Sequence, residues 1–591
     1  MKKYSLLLFI SFAAAPFLRA QNVGIGTATP HATLHIKGVA DTSQLVIDAH
    51  TTQSNARPLI RLRDAAGNDI MHLHADAPFN TFLGLGAGRV NTAGNIDQGL
   101  YNTFIGSSAG YYNTIGSFNT ALGRGALFQN TIGNANTTIG YKSLFSNTEA
   151  GGNTSVGYEA MLYNTTGAAN TAAGAYSLTS NTTGFRNTAN GYFSLKSNSA
   201  GIHNVAVGAF SLESNTTASH NTAVGVSALK TQSFSNVGSI WETNNVAVGY
   251  EALLNNNPVS NSTGVSNTAI GSLALRDNTI GFDNTALGTA ALYTNTIGTE
   301  NTAVGRQSLF YNSSGERNTA LGYKSLRSNT TGFENVAIGY NSLLFNTTGV
   351  NTAVGSGSMY ANIDGYSNTA VGRASLNFNI SGLSNTAVGD FALNHNVTGS
   401  YNIALGNGSG THPTTTNLNN TISIGNGGIL NAASNQAFLG NLSTLWNGGN
   451  RTWSTYSDAR MKNNITEEVK GLEFITRLRP VTYFRNIKMA TAITGNKETA
   501  DYPGKYDVEK IKESGFLAQE VEAAARESRY DFSGVSIPGN DKALYTLSYE
   551  QFVVPLVKAV QEQQQQIIDL KKDNAALKAR LEKLEKLIAD K

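Results

Sequence analysis

A five-residue motif recurs at a fixed interval through most of the chain, and this periodicity constrains the fold more than any other feature. The motif reads NTFIG at its first clear copy and NTAVG at a typical later one. Two longer intervals follow the eighth copy, and the motif then continues to Asn420 at nearly the original spacing. The evenly spaced copies begin at Asn102, Asn119, Asn136, Asn153, Asn170, Asn187, Asn204 and Asn221.

The length and composition of this unit decide its fold class. A unit this short cannot form a repeat of two helices, and frequent Gly and β-branched residues disfavour helix. The pattern predicts a parallel β-solenoid or β-roll in which each unit forms one coil.

The unit that spans 301–317, NTAVGRQSLFYNSSGER, shows how one coil is expected to fold. Alternate residues of a strand face opposite sides, so Thr302 and Val304 share one face and Ala303 takes the other. We expect Val304 and Leu309 to face the interior, because stacked copies would bury a continuous core of Val and Leu. Glycines at fixed positions provide the tight turns and positive φ angles of each coil.

Several motifs in the repeat region resemble functional signatures but have simpler explanations. The N-x-T triplets match glycosylation acceptors, yet their periodicity favours Asn and Thr ladders at the coil turns. The segment 84–88 is Gly-rich but lacks the Lys and the strand–helix context of a phosphate loop. His72 and His74 share one face of a probable strand, but no third ligand accompanies them. We therefore predict surface or core histidines and no metal or cofactor.

The two longer intervals, 221–245 and 245–267, carry extra residues. The first includes Phe234 and Trp241, and the second includes Pro258. Insertions in a solenoid emerge as loops from its side, and aromatic loops often bind partners. We expect these loops to project outward, either as a binding surface or as bulges without a function.

Composition excludes several function classes. The formal net charge of the 591 residues is only +3, and Lys and Arg are concentrated after residue 450, so the repeats offer no basic stripe for nucleic acid. The chain has no Cys, which excludes disulfides and Cys-based metal sites. Asp and Glu are sparse and irregular in the repeats, so no carboxylate pair of a glycosidase is evident.

The N-terminal segment 1–20 resembles a bacterial secretory signal. Lys2 and Lys3 form a positive start, the segment 6–15 an apolar stretch, and Ala20 a small residue before the expected cut. The apolar stretch is too short to span a membrane comfortably, and no later stretch is longer. We expect a secreted or cell-surface protein without a membrane span in the mature chain.

Two parts of the chain resemble known families. The NTAVG unit resembles the repeats in the head domains of trimeric autotransporter adhesins and phage tail fibres, which implies a left-handed parallel β-roll and three associated chains. Residues 454–564 resemble the peptidase S74 family, an intramolecular chaperone domain found at the end of phage tail spikes and endosialidases. The matching motifs are Ser457-Asp458 with Arg460, Lys462 and Ile465; Leu478-Arg479-Pro480-Val481 with Tyr483; Gly515-Phe516 with Ala518-Gln519-Glu520-Val521; Leu547-Ser548-Tyr549; and Pro555-Leu556 through Ala559-Val560-Gln561.

The S74 resemblance implies self-cleavage by a serine–lysine dyad, with Ser457 as the nucleophile and Lys462 as the base. A lysine can take the serine proton if burial lowers its pKa. Attack on the carbonyl of Tyr456 passes through a five-membered ring, whereas attack of Ser457 on its own carbonyl would need four members. We therefore expect cleavage at Tyr456–Ser457, although the side of Ser457 that is cut stays open. The alternative is that Ser457 and Asp458 only cap a helix.

The C-terminus carries a heptad pattern that predicts a coiled coil. β-Branched residues at a with Leu at d, together with Asn574, favour two strands, whereas both resemblances imply three. We expect a homotrimer. The a positions are Val553, Val560, Ile567, Asn574, Leu581 and Ile588, and the d positions are Leu556, Gln563, Leu570, Leu577 and Leu584.

Together these features predict a mainly β protein, with an S74-like α+β domain and a coiled coil after the solenoid. The expected domains are a signal peptide (1–20), a β cap (21–79), the solenoid (80–440), a linker (441–453), the chaperone domain (454–560) and the coiled coil (561–591). The predicted function is a trimeric fibre or adhesin that assembles on its chaperone domain, which then cleaves itself off in a single turnover without an external substrate. The alternatives are a non-cleaving surface scaffold and a carbohydrate-acting fibre enzyme. A cell-surface or glycan receptor for the repeats is a candidate partner, and a cellular adhesin is not distinguished from a phage-derived fibre.

Overall fold

The computed structural model of the chain describes residues 23–25, 34–36, 45, 47, 58–74, 79–94, 97–234, 236, 241–427, 430–445, 447, 456–494, 503–541 and 543–590. The expected signal peptide lies outside these residues. The chain divides into two units, 1–169 and 170–591, and each is described by itself.

The first unit begins with short strands and continues into parallel coils. β3 and β4 form an antiparallel hairpin, and β4 pairs with β5, the strand of the first coil. The hairpin therefore covers a strand edge that would otherwise be open. From β5 to β9 each strand pairs in parallel with the next. Its strands are β1 (Val23–Ile25), β2 (Leu34–Ile36), β3 (Ile60–Arg63), β4 (Asp69–His74), β5 (Thr81–Leu83), β6 (Thr103–Ile105), β7 (Thr120–Leu122), β8 (Thr137–Ile139) and β9 (Thr154–Val156).

The second unit carries further coils of the same kind. Apart from β13 and β15, which pair with each other, its solenoid strands pair in parallel with the next coil. They are β10 (Thr171–Ala173), β11 (Thr188–Asn190), β12 (Val205–Val207), β13 (Ala218–Ser219), β14 (Thr222–Val224), β15 (Trp241–Glu242), β16 (Val246–Val248), β17 (Thr268–Ile270), β18 (Thr285–Leu287), β19 (Thr302–Val304), β20 (Thr319–Leu321), β21 (Val336–Ile338), β22 (Thr352–Val354), β23 (Thr369–Val371), β24 (Thr386–Val388), β25 (Ile403–Leu405), β26 (Ile422–Ile424) and β27 (Ala437–Leu439).

The pairing register of the coils equals the sequence period. Thr302 pairs with Thr319 and Val304 with Leu321, so each coil position meets its own equivalent in the next repeat. Equivalent positions thus form columns along the stack. The parallel β-solenoid predicted from the repeat is confirmed.

The coil interior differs from the predicted one. Ala303 and Leu309 are fully buried, whereas Val304 is only half-buried and Thr302 is exposed. The expectation that Val304 faces the interior is therefore wrong. In this coil, as in most, the central strand residue points inward, and its small side chain leaves room for the leucine that enters from the opposite wall.

Buried asparagines form hydrogen-bonded columns inside the coils. The Asn301 amide Nδ2 donates to the Gly315 carbonyl at 2.8 Å and to Oδ1 of Asn284 at 3.1 Å, while its Oδ1 accepts the N–H of Asn318 at 3.0 Å. Asn312 bonds in the same way to the coil before it. Threonine hydroxyls likewise donate to backbone carbonyls of the next coil. The predicted Asn and Thr ladders are confirmed, and they satisfy polar groups that would be costly to bury alone.

The described residues at both ends of the first insertion pack against the coils instead of projecting. Trp241 is 5% exposed, pairs with Ala218 through the β13–β15 ladder and contacts Phe234 edge-on at 5.4 Å between ring centroids. In the second insertion Pro258 is buried, but Val259 is 67% exposed. The expectation of a displayed aromatic loop is wrong for Trp241, because its indole fills space against the coil flank.

The C-terminal region is a small mixed domain that ends in one long helix. Its elements are a 3-10 turn (Ala459–Met461), α1 (Leu472–Ile475), β28 (Val481–Tyr483), α2 (Ile487–Thr494), a second 3-10 turn (Asp507–Lys510), β29 (Glu513–Gly515), α3 (Ala518–Glu527), β30 (Val535–Ser536), β31 (Thr546–Leu547), a third 3-10 turn (Tyr549–Phe552) and α4 (Val553–Ala589). Its core consists of Phe474, Val521, Ala524, Ala525, Phe532 and Phe552.

Candidate functional site

A short 3-10 turn shapes the region around Ser457. Asp458 is extended (φ −68°, ψ 129°), and its carboxylate accepts the N–H of Arg460 at 2.9 Å. Asp458 is therefore the N-cap of the turn Ala459–Met461, so the capping alternative holds for this residue. The turn reverses the chain, which brings residue 462 back towards residue 457.

The reversal places the two predicted dyad residues in contact. The ammonium Nζ of Lys462 donates to the Ser457 hydroxyl Oγ at 2.7 Å. Both side chains are exposed, and Tyr456, just before the serine, is 92% exposed. The predicted nucleophile, the predicted base and the expected scissile bond thus lie within one short exposed segment.

Asp458 and Arg460 form an ion pair beside the dyad. The Arg460 Nε lies 3.1 Å from both carboxylate oxygens, and its Nη2 lies 2.5 Å from Oδ2. The hydrogen bonds from Arg460 hold the pKa of the Asp458 carboxyl below its usual range, and the same contact raises the pKa of Arg460. Their partnership is not predicted from sequence, although both belong to the motif that starts at Ser457.

The arrangement can support acyl transfer if the lysine loses its proton. A neutral amine 2.7 Å from a hydroxyl can accept the proton as the oxygen attacks a carbonyl. A lysine surrounded by water is almost entirely protonated at neutral pH, and burial is what would favour the neutral form. The described chain brings the two side chains into contact but leaves both of them exposed.

Of the two histidines noted in the N-terminal region, His72 lies beside a carboxylate. The His72 ring Nε2 lies 3.2 Å from Oδ2 of Asp69, and the other oxygen of that carboxylate, Oδ1, accepts a hydrogen bond from Arg63 Nε. The side chain of His74 is outside the described set. Within the described residues no three His, Cys, Asp or Glu side chains are grouped so as to hold a metal ion.

The first turns of the long helix α4 pack against the domain, and the rest of the helix is exposed. Ala559 is buried, and the Glu562 carboxylate accepts the N–H of Leu472 at 2.7 Å, which fixes α1 against α4. A Cβ on Gly471 would lie 2.5 Å from that carboxylate, so this close approach requires glycine. After Glu562 the described side chains are exposed, including Leu570 and Leu577 of the predicted seam. Beyond Glu562 the apolar stripe of α4 is not covered by any other part of the chain that the structure describes.

Comparison with protein families identifies the C-terminal domain. Residues 457–529 match the model of the peptidase S74 family, described as the chaperone of endosialidase. The match begins at Ser457, the predicted nucleophile, and ends just after α3, and it follows the solenoid repeats. The family resemblance predicted from the motifs is thereby confirmed for this segment. No curated protein matches the chain. No described helix is both long and apolar enough to cross a lipid bilayer.

Proposed function

We propose that this chain is a secreted trimeric fibre whose S74 chaperone domain assembles three chains and then cuts itself off at Tyr456–Ser457. The observation that carries the proposal is the 2.7 Å contact between Lys462 Nζ and Ser457 Oγ at the start of the matched segment. The signal-like segment 1–20 supports secretion. The solenoid, which precedes the cut, would be the released product.

In the proposed reaction the neutral amine of Lys462 takes the hydroxyl proton while Ser457 Oγ attacks the carbonyl carbon of Tyr456. The tetrahedral carbon, part of a five-membered ring, expels the Ser457 nitrogen, which receives the proton from Lys462. The product is an ester between the Tyr456 acyl group and the serine oxygen. Water hydrolyses this ester and leaves a carboxylate on Tyr456 and a free amino group and hydroxyl on Ser457.

The exposure of Lys462 links the reaction to assembly. Only a neutral amine can accept the serine proton, and removal of the surrounding water is what favours the neutral form of a lysine. Neighbouring chains that pack over residues 456–462 would displace this water and favour the neutral amine. Cleavage would then follow trimer formation, so that the chaperone leaves only after its work is complete.

The outer face of the solenoid strands supports association of identical chains. In the second unit the first and third residues of β19 and β20 are Thr with Val or Leu, and Leu321 is 45% exposed. No strand that pairs from coil to coil between β10 and β27 contains a charged residue. Monomeric proteins rarely expose such long uncharged surfaces with apolar columns. Three copies could bury these faces against one another.

The stripe of α4 supports the same arrangement beyond the solenoid. Its a and d residues are exposed in the protomer, and heptad seams of this kind associate as coiled coils. The stripe follows directly on the chaperone domain. It would bring three chains together at one end, where the register of the solenoids can be set.

Mass spectrometry of the purified full chain tests the cleavage. The wild type should yield a body that ends at Tyr456 and a fragment 457–591, whereas Ser457→Ala and Lys462→Ala should stay full length. Ser454→Ala, slightly upstream, is the matched control and should cut normally. Cutting of Ser457→Ala at the same bond would refute the assignment. Analytical ultracentrifugation of uncut Ser457→Ala measures the trimer separately.

A further inference from the structure

Asp458 lies between the dyad residues in sequence and holds the turn that brings them together. Its Oδ1 accepts the Arg460 N–H at 2.9 Å, and its carbonyl accepts the N–H of Met461 at 3.1 Å. The N–H of Lys462 in turn bonds to the Ala459 carbonyl at 3.1 Å. The cap and the two backbone bonds define one 3-10 turn, and the direction of the Lys462 side chain depends on it.

The same carboxylate is held from outside by a cation. The guanidinium of Arg460 contacts both oxygens of Asp458 and is 89% exposed, so it covers the solvent side of the carboxylate. Among the described residues Lys462 has a hydrogen bond to Ser457 and no ion pair of its own. The negative charge closest in sequence to the lysine is thus already neutralised.

We infer that Asp458 is a positioning residue for self-cleavage and that Arg460 shields the lysine from the charge of Asp458. This inference rests on the proposed autoproteolysis. An unpaired carboxylate near an amine favours the ammonium form, which is the wrong form for a general base. The carboxylate is nevertheless the residue that caps the turn. Arg460 resolves this conflict because its guanidinium neutralises the charge while Oδ1 still accepts the backbone N–H of Arg460.

Four variants of the full chain separate the cap from the charge. Asp458→Ala removes both, and cleavage should slow by roughly 3- to 30-fold, the range expected for loss of an N-cap. Asp458→Asn keeps an oxygen acceptor and should cut faster than the alanine variant. Arg460→Gln leaves the carboxylate unpaired, and its pH–rate profile should move to higher pH. The double variant Asp458→Asn/Arg460→Gln should return the profile to the wild-type position.

The rate of fragment 457–591 formation is measured from pH 6 to pH 10 after trimers have formed, with sedimentation confirming assembly for every variant. An unchanged profile of Arg460→Gln overturns the shielding role, and equal rates for the alanine and asparagine variants overturn the cap. A wild type that never cuts at Tyr456–Ser457 refutes the proposed function itself. If the wild type cuts and all four variants match it, only the present inference fails.

Discussion

The ring of Phe104 occupies the space that any side chain at position 110 would need. A Cβ built on Gly110 would lie 2.6 Å from the ring carbons of Phe104. Phe82 and Gly88 repeat the arrangement one coil earlier, and the two phenylalanine rings stack at 5.1 Å between centroids. Most coils have a small residue on the strand and a leucine on the opposite wall. In these two coils the positions are reversed, so that the large residue is on the strand and a glycine is on the opposite wall.

We predict that Gly110→Leu disrupts its coil and that Phe104→Ala in the same chain repairs it. Leu127 stands at the equivalent position with φ 55°, the same as Gly110, so the backbone accepts leucine there and the ring is the obstacle. In the single variant the interior is overpacked, which should lower the free energy of unfolding by roughly 1–3 kcal/mol. The double variant reproduces the packing of Ala121 with Leu127.

Hydrogen exchange of peptides from residues 97–130 measures this effect where it arises. Exchange should speed up in Gly110→Leu and return to the wild-type rate in the double variant. Phe104→Ala alone should also speed exchange, because it leaves a cavity beside a glycine. Additive damage in the double variant would show that the two positions do not share one space.

The buried column of asparagines leads to a second prediction. Asn301→Ala leaves the Asn318 N–H without its acceptor and removes one of the two amide donors to the Gly315 carbonyl, the other being Asn312. Buried unpaired polar groups cost about 1–3 kcal/mol each, so exchange in these coils should increase. Asn407→Ala, at an exposed site, is the matched control and should have little effect.

Asn301→Asp adds a pH dependence to the same site. Burial raises the pKa of a carboxyl, so the folded state would hold the proton to a higher pH than the unfolded chain. The aspartate variant should therefore be least destabilised below the unfolded pKa of about 4 and should lose stability as the pH rises through the folded value. If the ratio of the variant's exchange rate to the wild-type rate stays the same at every pH, burial of this position is contradicted.

The periodicity of the sequence was sufficient for the solenoid and its ladders but not for the orientation of the strands. Thr302 and Val304 alternate with Ala303, and apolar size placed Val304 inside, whereas the narrow coil holds Ala303 beside Leu309. Leu309 itself has φ 48°, a left-handed conformation that pattern reasoning assigns to glycine. Burial of its side chain compensates for the backbone, and only the packed coil reveals this.

At the candidate site, too, features set by neighbouring residues in sequence were predicted, whereas features set by distant packing were not. The S74 resemblance implied that Ser457 and Lys462 act together, and the two side chains meet because their spacing is short and Asp458 caps the turn between them. The exposure of Lys462 was not predicted, because the burial of a side chain depends on distant contacts that the local motif does not specify. The fold of Trp241 against its coil depended on the shape of the coil flank in the same way.

The uncharged strand face makes a third prediction. Leu321→Glu places a charge on that face in every copy, and like charges brought together cost several kcal/mol, so trimers should weaken or fail to form. Tyr311→Glu is the matched control, because the two side chains are 43% and 45% exposed but Tyr311 lies outside the strands. Sedimentation of both in the uncut Ser457→Ala background distinguishes them. Equal trimer content would place the interface elsewhere.

The chaperone domain should be required for assembly but not for the assembled state. A chain truncated after Tyr456 should yield monomers or aggregates, because every coil presents nearly the same outer face and nothing sets the register between chains. A body released from the full chain by its own cleavage should remain a trimer that resists heat and protease.

These two preparations have the same covalent sequence and differ only in how they were made, so a lasting difference between them requires a kinetic barrier. The barrier would arise from the long strand faces, since separating the chains exposes all of them before any other contact replaces the loss. Sedimentation of both preparations after prolonged storage at room temperature, with a second sample refolded from denaturant, measures it. The released body should lose its trimers on refolding and so become like the truncated chain. If the truncated chain forms the same trimer unaided, the domain is not a chaperone for this body, and the seam of α4 serves some other purpose.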